Sequence, residues 1–110
     1  ALLAQLKDLA GLFGGEYTLL SEYPAWEYRE NSPLRDASVA AYEKLFGQTP
    51  EVVAIHAGLE CGLFLEKYSH LEMVSFGPTL RGVHSPDERL EIATVDKFWA
   101  LLLDVLKRIK

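Results

Sequence analysis

The chain has a single cysteine, Cys61, among 110 residues, and that scarcity excludes two classes of explanation. A lone thiol closes no intramolecular disulfide and builds no thiolate metal cluster, and it fits a reducing compartment such as the cytoplasm. Positive charge is also short. The 11 lysines and arginines are outnumbered by 16 acidic residues, leaving a formal net charge of -5. With no basic run in the chain, nucleic acid and anionic membrane surfaces are not expected as partners. No apolar run approaches the length of a bilayer span, and no signal-peptide succession opens the chain. Internal repeats and low-complexity segments are missing as well. The length allows one domain or part of one, with one core.

The start lacks something too. Ala1 to Leu6 is in helical rhythm from the first residue, with no initiator methionine and no Ser, Thr, Asp or Asn cap ahead of it. That is the pattern expected of a chain cut from something longer, or of a processed terminus.

What is present reads as helices alternating with strands. Leu2, Leu6, Leu9 and Phe13 mark an apolar helical face that Gly14-Gly15 ends. The β-prone residues from Glu16 to Tyr23 predict a strand, with Pro24 as its terminator. The aromatic crossing Tyr23 to Tyr28 then suits packing between two lobes better than a ligand box, and a boundary is expected there. Ser32-Pro33 starts a helix with Leu34, Ser38, Ala41 and Leu45 inward, stopped by Gly47. Val52 to Ile55 predicts a buried strand, Leu59 to about His70 a helix, and Met73 to Phe76 another strand. Thr94 is the expected cap of a final helix whose stripe is Val95, Phe98, Leu102, Val105 and Ile109, widened by Trp99 and Leu106. The order is αβαβαβα. It predicts an α/β fold with a partial, mostly parallel sheet covered by helices, ligands gathering at the carboxyl ends of the strands.

Twelve residues, Gly77 to Glu88, hold the densest information. Gly77-Pro78 stops the preceding strand, Gly82 allows a backbone closed to other residues, and Ser85-Pro86-Asp87-Glu88 has the form of a capping box with proline at the first helical position. His84 is therefore held between a glycine turn and a capped turn. Such a histidine is preorganised as a ligand or acid/base group; an ordinary loop histidine has the same spacing, and both readings stand on residues alone. Adjacent parallel strands would bring Glu60 and His84 to one rim.

Ala54 to Gly62, with Ser75 to Leu90 following, closely resembles the C-terminal part of the aminoacyl-histidine dipeptidases, also called Xaa-His or β-alanyl-histidine dipeptidases, of the M20 class of dinuclear zinc peptidases. The likeness continues upstream through Tyr23-Pro24-Ala25-Trp26 and Asn31-Ser32-Pro33-Leu34. It implies that residues 1–28 are the last helix and strand of an inserted lid domain and that residues 29–110 are the closing segment of a zinc-peptidase catalytic domain. By the same resemblance His84 matches the final histidine ligand to one of two zinc ions, and Glu60 lies near the substrate pocket. A substrate ammonium group would pair with Glu60; a glutamate that simply favours a helix N-terminus is the open alternative. Thr79 and Arg81 are near enough to His84 in sequence to line the pocket. His56 is expected to orient its loop, Cys61 to pack, and His70 to lie at the surface.

The resemblance further implies hydrolysis of Xaa-His dipeptides such as carnosine by a metal-activated water, with the general base and the remaining ligands outside these 110 residues. The segment alone is expected to be inactive, to hold zinc weakly or not at all, and to self-associate through open sheet edges. Without the resemblance, the alternative is a small autonomous α/β binding module with no catalysis.

Overall fold

Glycine sets where the first two helices end. In the computed structural model, which describes residues 2–55 and 59–109, helix α1 spans Leu2–Leu12 and closes on Gly14 at φ 68°. The Gly15 N–H reaches the Ala10 carbonyl at 2.8 Å and the Gly14 N–H reaches Gly11 at 3.1 Å, the paired bonds of a Schellman stop. Helix α2, Pro33–Phe46, closes on Gly47 at φ 66°, whose N–H bonds the Glu43 carbonyl at 2.8 Å. At its other end the Ser32 hydroxyl accepts from the Arg35 N–H at 3.3 Å, with Pro33 at the first helical position. Helix α3 is Glu60–Lys67, and α4, Val95–Arg108, follows a 3-10 turn at Ile92–Thr94.

The core lies between α2 and α4. Ala41 of α2 is fully buried, and Leu101 and Val105 of α4 close over it, flanked by Leu34, Tyr42, Phe46 and Phe76. The α4 stripe is centred on Leu101, not on Leu102, and Trp99, Leu106 and Ile109 lie exposed. Leu45 is exposed on α2 as well, and Phe46 packs in its place, edge-on to Tyr42 with ring centroids 4.7 Å apart. Removing the Leu101 side chain to alanine would cost about 2 to 5 kcal/mol, the usual range for a buried leucine.

All four expected helices form, but the expected strands do not pair. Residues 16–23, 52–55 and 73–76 carry no ladder, and the sheet among the described residues is one antiparallel hairpin, β1 (Leu80–Arg81) with β2 (Arg89–Leu90). A parallel ladder is stable when helices cover both its faces and neighbouring strands satisfy its edges. Here Val52, Val53 and Ile55 are 48, 59 and 60% exposed, so that cover is lacking. Residues 71–76 are held by side chains instead, with the Phe76 ring 5.8 Å from that of Phe98.

Helix α1 packs against no other helix or strand among the described residues, and its expected inward face is open to solvent, with Phe13 85% exposed. This arm raises the radius of gyration to 18.7 Å, against about 13 Å for a compact domain of similar length.

Candidate functional site

The hairpin between α3 and α4 holds most of the expected site residues. Leu80 pairs with Leu90 and Arg81 with Arg89, which puts the turn at residues 82–88. Gly82 takes φ 61° there, and His84 takes φ 63°, the one non-glycine residue with positive φ among those described. A side chain in that region costs about 1 kcal/mol or more relative to a right-handed one. The surrounding bonds hold it there. The His84 N–H donates to the Glu88 carboxylate at 2.9 Å, the Ser85 hydroxyl donates to the Gly82 carbonyl at 2.7 Å, and the Asp87 N–H donates to the Ser85 hydroxyl oxygen at 3.2 Å.

These contacts correct one expectation. Ser85 and Glu88 do not make the reciprocal bonds of a capping box: the Ser85 hydroxyl takes the Asp87 N–H, the Glu88 carboxylate takes the His84 N–H, and no helix follows; they close a tight turn. Two left-handed residues, Gly82 and His84, reverse the chain before helical bonds can propagate, and β2 draws it back along β1. The outcome for His84 is an exposed imidazole on a backbone fixed from both sides.

The base of the hairpin is tied to α4. The Glu91 N–H donates to the Thr79 carbonyl at 2.9 Å, and the Thr79 N–H donates to the Thr94 hydroxyl oxygen at 2.9 Å. Thr94 does stand at the N-cap position, but its hydroxyl does not cap the helix: it donates to the Glu91 carbonyl at 2.7 Å and receives Thr79. Thr79 also lines a concavity of about 1400 Å³ that runs from Tyr23 through α2 to Phe98. Arg81 does not line that concavity; its guanidinium pairs with Glu91 at 3.3 Å.

Glu60 opens α3 and is exposed in its first turn. No hydrogen bond or ion pair joins it to His84 among the described residues, and α3 packs against neither hairpin strand. The expected shared rim needs two neighbouring parallel strands, and the segments that would supply them remain unpaired. His56, with Ala57 and Gly58, lies outside the described residues. Cys61 is half-buried and His70 is exposed, its ring edge-on to Tyr68.

As a metal centre the arrangement is incomplete. No group of three or more His, Cys, Asp or Glu side chains among the described residues is placed to hold an ion. His84 offers one imidazole donor, and a zinc site needs at least three protein ligands. These residues alone therefore do not fit a dinuclear zinc centre.

Two features were not legible as motifs. Arg35 spans three chain groups, from Tyr28 to Glu30, and Glu72 reaches the start of α2 from 38 residues away. Arg35 meets two backbone carbonyls and the Tyr28 hydroxyl, and Glu72 a distant hydroxyl and N–H, which leave no spacing pattern in a sequence.

Comparison with known proteins agrees with the motifs. The chain is 43% identical over 106 residues to the cytosol non-specific dipeptidase of Escherichia coli K12, covering 96% of this chain and 22% of that protein. It superposes on the crystal structure of the aminoacylhistidine dipeptidase of Vibrio alginolyticus with a TM-score of 0.78 and 40% identity, covering 97% of this chain and 22% of that one. The mixture of helices with a small sheet is thus that of a limited part of a dipeptidase structure, and the chain spans about a fifth of either relative. Since the sequence profile of peptidase family M20/M25/M40 also matches residues 13–108, nearly the full length, the chain belongs to that family.

Proposed function

We propose that this chain is the C-terminal segment of a metal-dependent dipeptidase, with His84 supplying one ligand to a zinc ion whose other ligands come from the rest of the enzyme. The carrying observation is the hairpin turn. His84 occupies a left-handed conformation that costs stability, fixed by Glu88 and Ser85, and its imidazole is exposed. Strain retained at an over-determined position is a mark of a functional group. Similarity to two dipeptidases over nearly all of the chain supports the same reading.

In this proposal residues 1–28 end a lid domain and residues 29–110 belong to the catalytic domain. Glu60 receives the substrate ammonium group, and Thr79 and Arg81 border the pocket. The substrates are dipeptides with Xaa-His, such as carnosine, among them; the two relatives are a non-specific and an aminoacylhistidine dipeptidase. The cytoplasm is the proposed location, in keeping with the cytosolic relative, and no helix among the described residues is long and apolar enough to cross a membrane. When bound, zinc would polarise the scissile carbonyl and activate water. What this chain contributes is orientation and one donor.

An autonomous binding module receives less support. Among the described residues its buried apolar core would consist of Ala41, Leu101 and Val105, too few to hold a domain of this length. The open faces of α1 and of residues 52–55 favour self-association of the segment when it is expressed by itself.

The test of the reading is hydrolysis of a dipeptide panel, carnosine included, by the full-length enzyme and its Glu60→Gln variant. A raised KM for dipeptides with little change in kcat is expected. An unchanged KM removes the substrate role of Glu60.

A further inference from the structure

Residues 24–30 cross from the α1 arm to α2 without regular structure, and such a joint would ordinarily be mobile. Here it is held at three places. On the α2 side the Arg35 guanidinium, its side chain 18% exposed, donates through Nη1 to the Tyr28 hydroxyl at 2.9 Å and the Arg29 carbonyl at 2.6 Å, and through Nη2 to the Glu30 carbonyl at 2.7 Å. Its carbon sits 5.2 Å from the centre of the Tyr28 ring. Asp36 accepts from Nε at 3.3 Å and from Nη2 at 3.2 Å, which sets the plane of the fork.

On the α3 side the same joint touches both ends of the helix. Buried Gly62, in the first turn, lies against Pro24 so closely that a Cβ added there would collide with the Pro24 carbonyl oxygen. Arg29 donates to the carbonyl of Ser69, just past the end of α3. A crevice of about 380 Å³ between the two is lined by Pro24, Tyr28, Gly62, Leu65 and Glu66. Helix α3 packs against no other helix or strand among the described residues, so the joint is what holds it.

We infer that Arg35 is a positioning residue: by fixing residues 24–30 as a strut along α3, it sets the first turn of α3 and with it the Glu60 carboxylate two residues from the Gly62 contact. The functional half of this inference rests on the reading of Glu60 as the substrate's ammonium partner; the mechanical half does not. Only an arginine serves, because two carbonyls and a hydroxyl must be met at once by a planar fork, which a lysine ammonium lacks.

The experiment uses the full-length enzyme and the variants Arg35→Ala, Arg35→Lys and Gly62→Ala, with amide hydrogen exchange and dipeptide kinetics as readouts. Exchange across residues 61–66 should rise about tenfold in all three, with α2 and α4 protection unchanged beyond the first turn of α2. KM for dipeptides should rise more than kcat falls, and Arg35→Ala should add nothing in a Glu60→Gln background. Unchanged exchange in α3 overturns the strut; multiplication of the Arg35 and Glu60 effects on KM overturns the positioning of Glu60 by Arg35. Raised exchange in α3 with no change in KM in any variant, Glu60→Gln included, upholds the strut and overturns the reading of Glu60. Should Arg35→Ala fail to fold, Gly62→Ala gives the same decision from the opposite end of the joint.

Discussion

Glu72 caps a helix whose N-cap residue, Ser32, lies 40 residues before it: one carboxylate oxygen accepts from the Ser32 hydroxyl at 3.2 Å and from the Leu34 N–H at 2.9 Å. Ser32 uses its own oxygen for the Arg35 N–H at 3.3 Å, so two unpaired donors of the first turn of α2 are satisfied by a serine and a glutamate that no local motif connects. Ser32 is buried, which raises the cost of leaving either group alone.

Replacing Glu72 with alanine should therefore destabilise the protein by about 1 to 3 kcal/mol, the range for removing a charged acceptor from partly buried donors. Ser32→Ala should cost about 1 kcal/mol. In urea denaturation the double variant should lose less than the two single losses summed, because the groups share one network. Simple additivity would show that Glu72 and Ser32 act independently.

Asp104 gives a pH dependence with a defined sign. The hydrogen bond from the Arg108 guanidinium at 2.7 Å, followed by that from the Lys44 ammonium at 2.9 Å, holds its carboxyl below the ordinary value of 3.8. A depressed folded-state pKa stabilises the fold fully above the unfolded value and ceases to do so as pH falls through the folded one. The contribution of the α2–α4 link through Lys44 and Asp104 should thus be complete at neutral pH, begin to fall near the unfolded value of about 4, and be lost as pH drops through the lowered folded value. Thermal midpoints of Asp104→Asn should be lower than those of the parent at pH 7 and should converge with them in acid. A constant difference from pH 7 to pH 2 would rule out this origin.

Gly82 and His84 should respond oppositely to exchange. At φ 61°, and with a would-be Cβ 3.1 Å from the Asp87 carbonyl oxygen, Gly82→Ala is strained twice and should cost about 1 to 2 kcal/mol. His84→Gly relieves a left-handed side chain and should leave stability unchanged or raise it by up to about 1 kcal/mol, while the full-length enzyme loses activity. A His84→Gly protein that loses stability and keeps activity would reverse the assignment of His84 from functional to structural.

Helix boundaries were legible because they are written locally. Pro33 after Ser32, Gly47, and Gly14-Gly15 each act through backbone geometry within a few residues, and all were found where the sequence places them. Strand pairing was not legible. Val52 to Ile55 has the composition of a covered strand, but a strand exists through its neighbours, and here those four residues have no paired edge. The Ser85 to Glu88 signature shows the limit of a local motif: its side chains do bond backbone N–H groups, but one residue out of the expected register, Ser85 with Asp87 and Glu88 with His84, and the left-handed residues ahead of it make the outcome a hairpin turn. Of the candidate site, the fixed backbone at His84 could be foreseen from Gly82 and Ser85. The Thr79–Thr94 tie, the Arg35 fork and the Glu72 cap could not, since each joins groups through backbone atoms or across long separations.

Metal content is the most direct test of the assignment of His84. Full-length enzyme and its His84→Ala variant, purified alike, would be assayed for bound zinc per chain and for hydrolysis of a dipeptide substrate. The account predicts loss of about one zinc equivalent and at least about a 100-fold fall in kcat/KM with the fold intact; equal zinc and equal turnover in both proteins would contradict it.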